Sequence, residues 1–338
     1  MSEDIKQVGV IGAGSWGTAL AATIAKGGCN VVLWARSAEH ATEIASTREN
    51  EKYLPGIKLP DSIEVTSDIN AFADCDIVLM VSPAQAQRTI MSQFAKVLKK
   101  GIPALICSKG IEQSSNLFMS DVLAQVAPDL EPYVLSGPSF AADVVRGLPT
   151  AVTLAGPNIK EAKQVAETIG HANFRIYASD DILGVQIGGA VKNVLAIACG
   201  ISDGKKLGES CRAALITRAF SELTRLGKVL GAHPETLVGL SGFGDLSLTC
   251  SSPKSRNYSL GFRLGQGETL QDILGSRNTV SEGVFTASVV VNIARKNNIE
   301  MPICEAVHAI VDGQSDPDAE LARLLARPMR AEIEEQNG

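Results

Sequence analysis

Short apolar runs separated by amphipathic stretches fill the first half of the chain, and that rhythm stops near residue 180. The run Gln7–Ile11 predicts a strand, Ser15–Lys26 a helix and residues 30–35 a second strand, which together make a βαβ unit. Further apolar runs at 76–81, 103–107, 133–135, 151–154 and 174–177 predict strands, several separated by helix-like segments such as 84–99. Such alternation predicts an α/β fold whose N-terminal part is a Rossmann-like, doubly wound, mainly parallel sheet. Beyond Asp180 the pattern turns helical, over 181–203, 209–231, 268–274, 282–297, 302–312 and 317–326, with a glycine- and serine-rich break at 241–261. We therefore expect a dinucleotide-binding domain at 1–180 and an all-α substrate domain at 181–338.

Within the first of these helices the run 182–202 carries one charge, Lys192, followed directly by Asn193. An ammonium in an apolar helix loses hydration worth several kcal/mol unless a carboxylate, dipole or anionic ligand replaces the water. The run is long enough to span a bilayer, but a central lysine would cost roughly 2.5–3.5 kcal/mol there. A buried helix that uses its lysine is the better reading, so no integral membrane segment is expected. The weakly charged stretch 8–25 follows Glu3 and Asp4 and is punctuated by glycines, which reads as strand, turn and helix rather than as a signal peptide.

Length and composition narrow the class. At 338 residues the chain exceeds the comfortable size of one core, and 45% hydrophobic residues supply a large interior. A net charge of -6 without any basic block argues against nucleic-acid partners. Seven scattered cysteines with no C-x-x-C pair point to reduced thiols and a cytoplasmic location. The four histidines lack the i, i+4 spacing of a helical metal site, so no metal is expected.

Gly12, Gly14 and Gly17 spell G-x-G-x-x-G between the first strand and helix, the fingerprint of a dinucleotide site. Ser15 and Trp16 would lie nearest the phosphates. The second strand runs out into Arg36 rather than an acid, which favours the 2'-phosphate of NADPH, although a solvated surface arginine would look the same. Lys109 and the turn holding Gly137 and Ser139 follow predicted strand ends, where open α/β sheets bind ligands. Downstream come Gly242, Gly244, Asp245, Thr249, Ser255, Arg256 and Asn257. Their donors suit a phosphate monoester, yet such a loop serves equally as a polar connector. Asp245 is the natural carboxylate to orient Lys192.

These residues together resemble the NAD(P)-dependent glycerol-3-phosphate dehydrogenases of bacteria over essentially the whole chain. The likeness rests on residues 12–18, 53–55 and 108–110, on 136–141 and 191–194, and on 242–246, 255–257 and 282–283. It implies reduction of dihydroxyacetone phosphate to sn-glycerol 3-phosphate for phospholipid synthesis, with NADPH or NADH as cofactor. Lys192 would be the proton donor, beside Lys109 and Asp245. The substrate would meet Lys109, Gly137, Ser139, Lys192, Asp245, Ser255, Arg256 and Asn257. The cofactor would meet Gly12, Gly14, Ser15, Trp16, Gly17, Arg36, Lys109, Ala141, Arg256, Val280 and Glu282. Residues 279–282 depart locally from the pattern, which leaves Val280 least secure. A β-hydroxyacid dehydrogenase shares the plan but needs a carboxylate site, and a silent NADP-binding sensor leaves Lys192 unmotivated. A homodimer is the common default.

Overall fold

Strands with both faces apolar can only sit inside a sheet covered on both sides, and that is where they lie. The computed structural model describes residues 7–276 and 281–329. Its strands are β1 (Gln7–Ile11), β2 (Asn30–Trp34), β3 (Ile63–Thr66), β4 (Ile77–Met80), β5 (Pro103–Ile106), β6 (Glu131–Ser136), β7 (Thr150–Ala155) and β8 (Phe174–Ser179). They form one sheet in the order β3-β2-β1-β4-β5-β6-β7-β8. Pairing is parallel throughout, except that β7 runs antiparallel to β6. The sheet is thus Rossmann-type and mainly parallel, as expected.

One face of the sheet packs on the helices Ser15–Lys26 and Ile159–Ile169. The other packs around Phe72, Met91 and Phe94, where Phe94 meets Trp34 and Phe72 edge-on with ring centroids 5.3 and 5.0 Å away. Strand order reverses between β1 and β4, so a crevice opens at their C-terminal ends. β3, which the sequence pattern did not predict, is one of the two edge strands: four residues long with an exposed Glu64. The helix expected over 84–99 spans only Ala84–Phe94. Its continuation winds into turns, with the Val97 and Leu98 N–H groups both on the Phe94 carbonyl.

After β8 the chain is helical among the described residues, and this half has its own apolar core. Its axis is the helix Ile182–Gly204, capped by Asp181, whose carboxylate accepts from the Gly184 and His233 N–H groups at 2.7 and 2.8 Å. This helix is buried against Glu209–Leu230, Arg256–Gly265 and Glu282–Lys296, the surroundings of a core helix. Gly200 and Gly204 lie against the carbonyls of Tyr258 and Phe262, while Gly261 and Gly265 lie against those of Ile197 and Ile201. A Cβ at any of the four would overlap backbone. The expected break at 241–261 is corrected by this packing. Leu240–Gly244 forms a π-helical turn, and Asp245–Cys250 and Arg256–Gly265 are helices. Glycine-poor propensity was the wrong guide, because there glycine lets two helices touch.

Candidate active site

Four loops converge at the C-terminal edge of the parallel strands. The glycine turn follows β1, residues 81–83 follow β4, Ser108–Gly110 follows β5, and Gly137–Phe140 follows β6. Neighbouring strands lie about 4.8 Å apart, so the ends of β1 and β5 are separated by roughly 10 Å.

At the first turn Gly12 has φ +124°, and a Cβ there would stand 2.9 Å from the Val81 carbonyl oxygen. Gly17 abuts the Gly12 carbonyl, which lets the helix Ser15–Lys26 start directly at the strand end. Around Gly14, by contrast, a Cβ would find nothing within 4 Å. The helix N-terminus has no side-chain cap, and the buried Trp16 Nε1 lacks a hydrogen-bond partner. Open backbone, unsatisfied first-turn N–H groups and an orphaned donor fit a pyrophosphate. Arg36 lies exposed just past β2, at the start of the helix Ala38–Thr47.

The second half of the cleft is electrostatic. Lys192, 7% exposed, donates to Asp245 Oδ1 and to Thr249 Oγ1, both at 2.8 Å. Lys109 donates to Asp245 Oδ2 at 2.6 Å and to the Gly137 carbonyl at 2.9 Å. One buried carboxylate therefore bridges two ammonium groups from opposite halves of the molecule. Burial lowers the Lys192 pKa to about 8, with Asp245 opposing that shift and Lys109 adding to it. Burial also pushes the Asp245 carboxyl up, but the two lysines outweigh it and hold the group below its ordinary value. Ser139 adds a bond to the Gly137 carbonyl at 3.1 Å.

A chain of amides runs beside this triad. Asn193 Nδ2 donates to the Lys109 carbonyl at 2.9 Å, Asn257 Nδ2 to Asn193 Oδ1 at 2.9 Å, and the Gly283 N–H to Asn257 Oδ1 at 3.1 Å. Asn257 thus has both ends of its amide engaged within the protein. Ser255 caps the helix Arg256–Gly265, its Oγ accepting from the Tyr258 N–H at 3.2 Å. Burial draws the Arg256 pKa down while Glu282 opposes, and burial raises Glu282 while the Ala84 N–H and Arg256 oppose. Glu282 Oε1 accepts from that N–H at 3.1 Å, and its Oε2 is buried without a partner. Ala141 opens the short helix Ala141–Val145 beside the β6 turn, and Val280 lies outside the described residues.

Two contributors lie outside the catalytic, substrate and cofactor sets expected from sequence, although Thr249 was named among the donors of its loop. Asn193 joins the Lys109 loop to the Arg256 helix, and its only signal was adjacency to the lone lysine. Thr249 sits one turn after Asp245, an i, i+4 spacing that could have flagged it.

A glycine turn at the switch point of a Rossmann-type sheet, with two ammonium groups sharing one buried carboxylate at the strand ends, marks the class of dinucleotide-dependent oxidoreductases. Residues 7–162 match the family described as NAD-dependent glycerol-3-phosphate dehydrogenase N-terminus, and residues 181–322 match its C-terminus. The chain belongs to the NAD-dependent glycerol-3-phosphate dehydrogenase family. It is 54% identical to glycerol-3-phosphate dehydrogenase [NAD(P)+] of Parvibaculum lavamentivorans, over 97% of this chain and 98% of that one. The same enzyme of Caulobacter vibrioides is 51% identical over 97% and 99%. The crystal structure of glycerol-3-phosphate dehydrogenase from Coxiella burnetii superposes with a TM-score of 0.91, at 37% identity, covering 95% of this chain and 99% of that one.

Proposed function

We propose that the protein reduces dihydroxyacetone phosphate to sn-glycerol 3-phosphate with NADPH or NADH. The observation that carries the chemistry is the Lys192–Asp245–Lys109 bridge at the strand ends. When bound, the dihydronicotinamide supplies the hydride to the ketone carbon. Lys192 then holds its ammonium at the carbonyl oxygen and transfers a proton as negative charge develops there. Asp245 and Thr249 fix the direction of that amine. A unit charge pair at 4 Å in an effective dielectric of 20 is worth about 4 kcal/mol, comparable to a strong oxyanion donor.

Lys109, Gly137, Ser139, Asp245, Ser255, Arg256 and Asn257 are the proposed surroundings of the substrate. The phosphate falls to Arg256 and the Ser255-capped helix start, where charge-assisted bonds and helix-end N–H groups coincide. Gly12, Gly14, Ser15, Trp16, Gly17, Arg36, Lys109, Ala141, Arg256 and Glu282 are the proposed cofactor contacts. NADPH is favoured because Arg36 presents an exposed guanidinium beside a helix N-terminus. The proposal extends to a cytoplasmic homodimer that supplies glycerol phosphate for phospholipid synthesis.

The deciding assay follows NADPH and NADH oxidation with dihydroxyacetone phosphate against a panel of 3-oxo acids. Turnover with the phosphorylated ketone is expected, and turnover confined to the oxo acids would refute it. Lys192→Met should lose about 100- to 10,000-fold in turnover at saturating substrate while still binding cofactor.

A further inference from the structure

We infer that Glu112, gripped by Arg88, is a positioning residue that sets the Lys109 ammonium against Asp245. The inference rests on the functional reading above and assigns a role to residues outside the cleft. The Lys109 loop is held from one side by the first turns of the helix Ala84–Phe94. Gln87 accepts from Ser108 Oγ at 2.5 Å. Gln85 donates to the Ile111 carbonyl at 2.8 Å and accepts from the Gln113 N–H at 2.9 Å. Arg88 donates from Nε at 2.9 Å and from a terminal nitrogen at 2.8 Å to the two oxygens of Glu112, which is only 4% exposed.

Glu112 also closes its own turn. Ser115 Oγ donates to Glu112 Oε2 at 2.5 Å, and backbone bonds tie Glu112 to Leu117 and Asn116. A forked arginine–carboxylate pair has one geometry, which makes it a better ruler than a lysine contact would be. Ile111, next in chain, is fully buried in the core of the helical half. At Gly110 a Cβ would stand 2.8 Å from the Ala84 Cβ and 2.9 Å from Glu282 Oε2, so helix, loop and helical half meet with no slack. Only Gly110 and Ile111 lie between Lys109 and Glu112, too few for the loop to absorb a displacement at one end without moving the other.

A scaffold role and a positioning role differ in what happens at Lys192. That amine is faced by Asp245, Lys109 and Cys250, and the Lys109 charge is one of the forces lowering its pKa. Drawing Lys109 away should therefore move the alkaline limb of the reduction rate to higher pH. Glu112→Gln is expected to lower kcat 5- to 50-fold, equivalent to about 1–2.3 kcal/mol. The alkaline limb should shift upward, which a merely structural loss would not produce. In a Lys109→Met background the same substitution should change kcat less than twofold, because nothing remains to be positioned.

Gln85→Ala, which removes two bonds to the loop without touching a charge, should show the same pattern more weakly and serves if Glu112→Gln fails to fold. An unshifted pH profile, or an equal loss in both backgrounds, would overturn the positioning role. A wild-type enzyme inert toward dihydroxyacetone phosphate would strike the functional reading instead, and the two failures are distinct.

Discussion

Asp245 neutralises one of two ammonium groups, so the Lys192–Asp245–Lys109 cluster keeps one net positive charge before any ligand arrives. That surplus suits a substrate whose carbonyl oxygen becomes anionic. If Lys192 is the proton donor proposed above, the reduction rate should fall as pH rises through about 8, and oxidation of glycerol phosphate should rise over the same interval. Initial rates in both directions across the alkaline range test this. A limb at the same pH in both directions with the same sign would refute it. The sign for stability is separate: an ordinary lysine at 10.5 in the unfolded chain holds its proton longer than Lys192 at about 8, so stability gains with pH between those values. Lys192→Met should remove that slope in urea titrations. Arg36 carries a different forecast, since its charge would contact only the 2'-phosphate. Arg36→Ser should lower kcat/KM for NADPH by about 10- to 100-fold, the worth of one charged hydrogen bond of about 1.5–3 kcal/mol, and leave NADH nearly unchanged.

The elements divide by how locally they were specified. Buried strands such as β4, with all four residues apolar, were legible because only a covered sheet accepts them. β3 was not, since Ile-Glu-Val-Thr at an exposed edge looks like any short polar–apolar alternation. The helix Arg256–Gly265 was hidden by its own glycines, which tertiary contact with the lysine helix converts into an asset, and Asp245–Cys250 was hidden by the glycine- and serine-rich residues on either side of it. The site shows the same split: Lys192 stood out as a lone charge, but Thr249 and Asn257 reach it and Asn193 from 57 and 64 residues away. Spacing along the chain carries no trace of those bonds. Gly200→Leu should accordingly force the two helices apart and destabilise by 1–3 kcal/mol or more, read as a lowered denaturation midpoint at constant m-value. A stability within about 0.5 kcal/mol of wild type would mean the contact is not tight.

At the scale of the molecule, the apolar cores on the two faces of the sheet and the one around the lysine helix are joined by polar links beyond the Lys109–Asp245 ion pair. Asn193 reaches the Lys109 carbonyl, Glu282 the Ala84 N–H at 3.1 Å, and Gln113 meets Ser288 at 3.4 Å, while Ile111 crosses as an apolar anchor. The proposed cofactor contacts are drawn from both halves, Gly12–Gly17 and Arg36 from one, Arg256 and Glu282 from the other. A ligand gripped by both sides stabilises the joined state over either half alone. NADPH at 100 times its dissociation constant should thus add about 2.7 kcal/mol to the folded state and move a single calorimetric transition upward as one. Glu282→Ala removes the helical half's hold on the helix Ala84–Phe94. It should shrink that increment and broaden or split the transition, with only the sheet half still following the cofactor. Two separate transitions in the wild type, with the helical half indifferent to NADPH, would instead mean that the halves fold independently and the cleft closes on substrate alone.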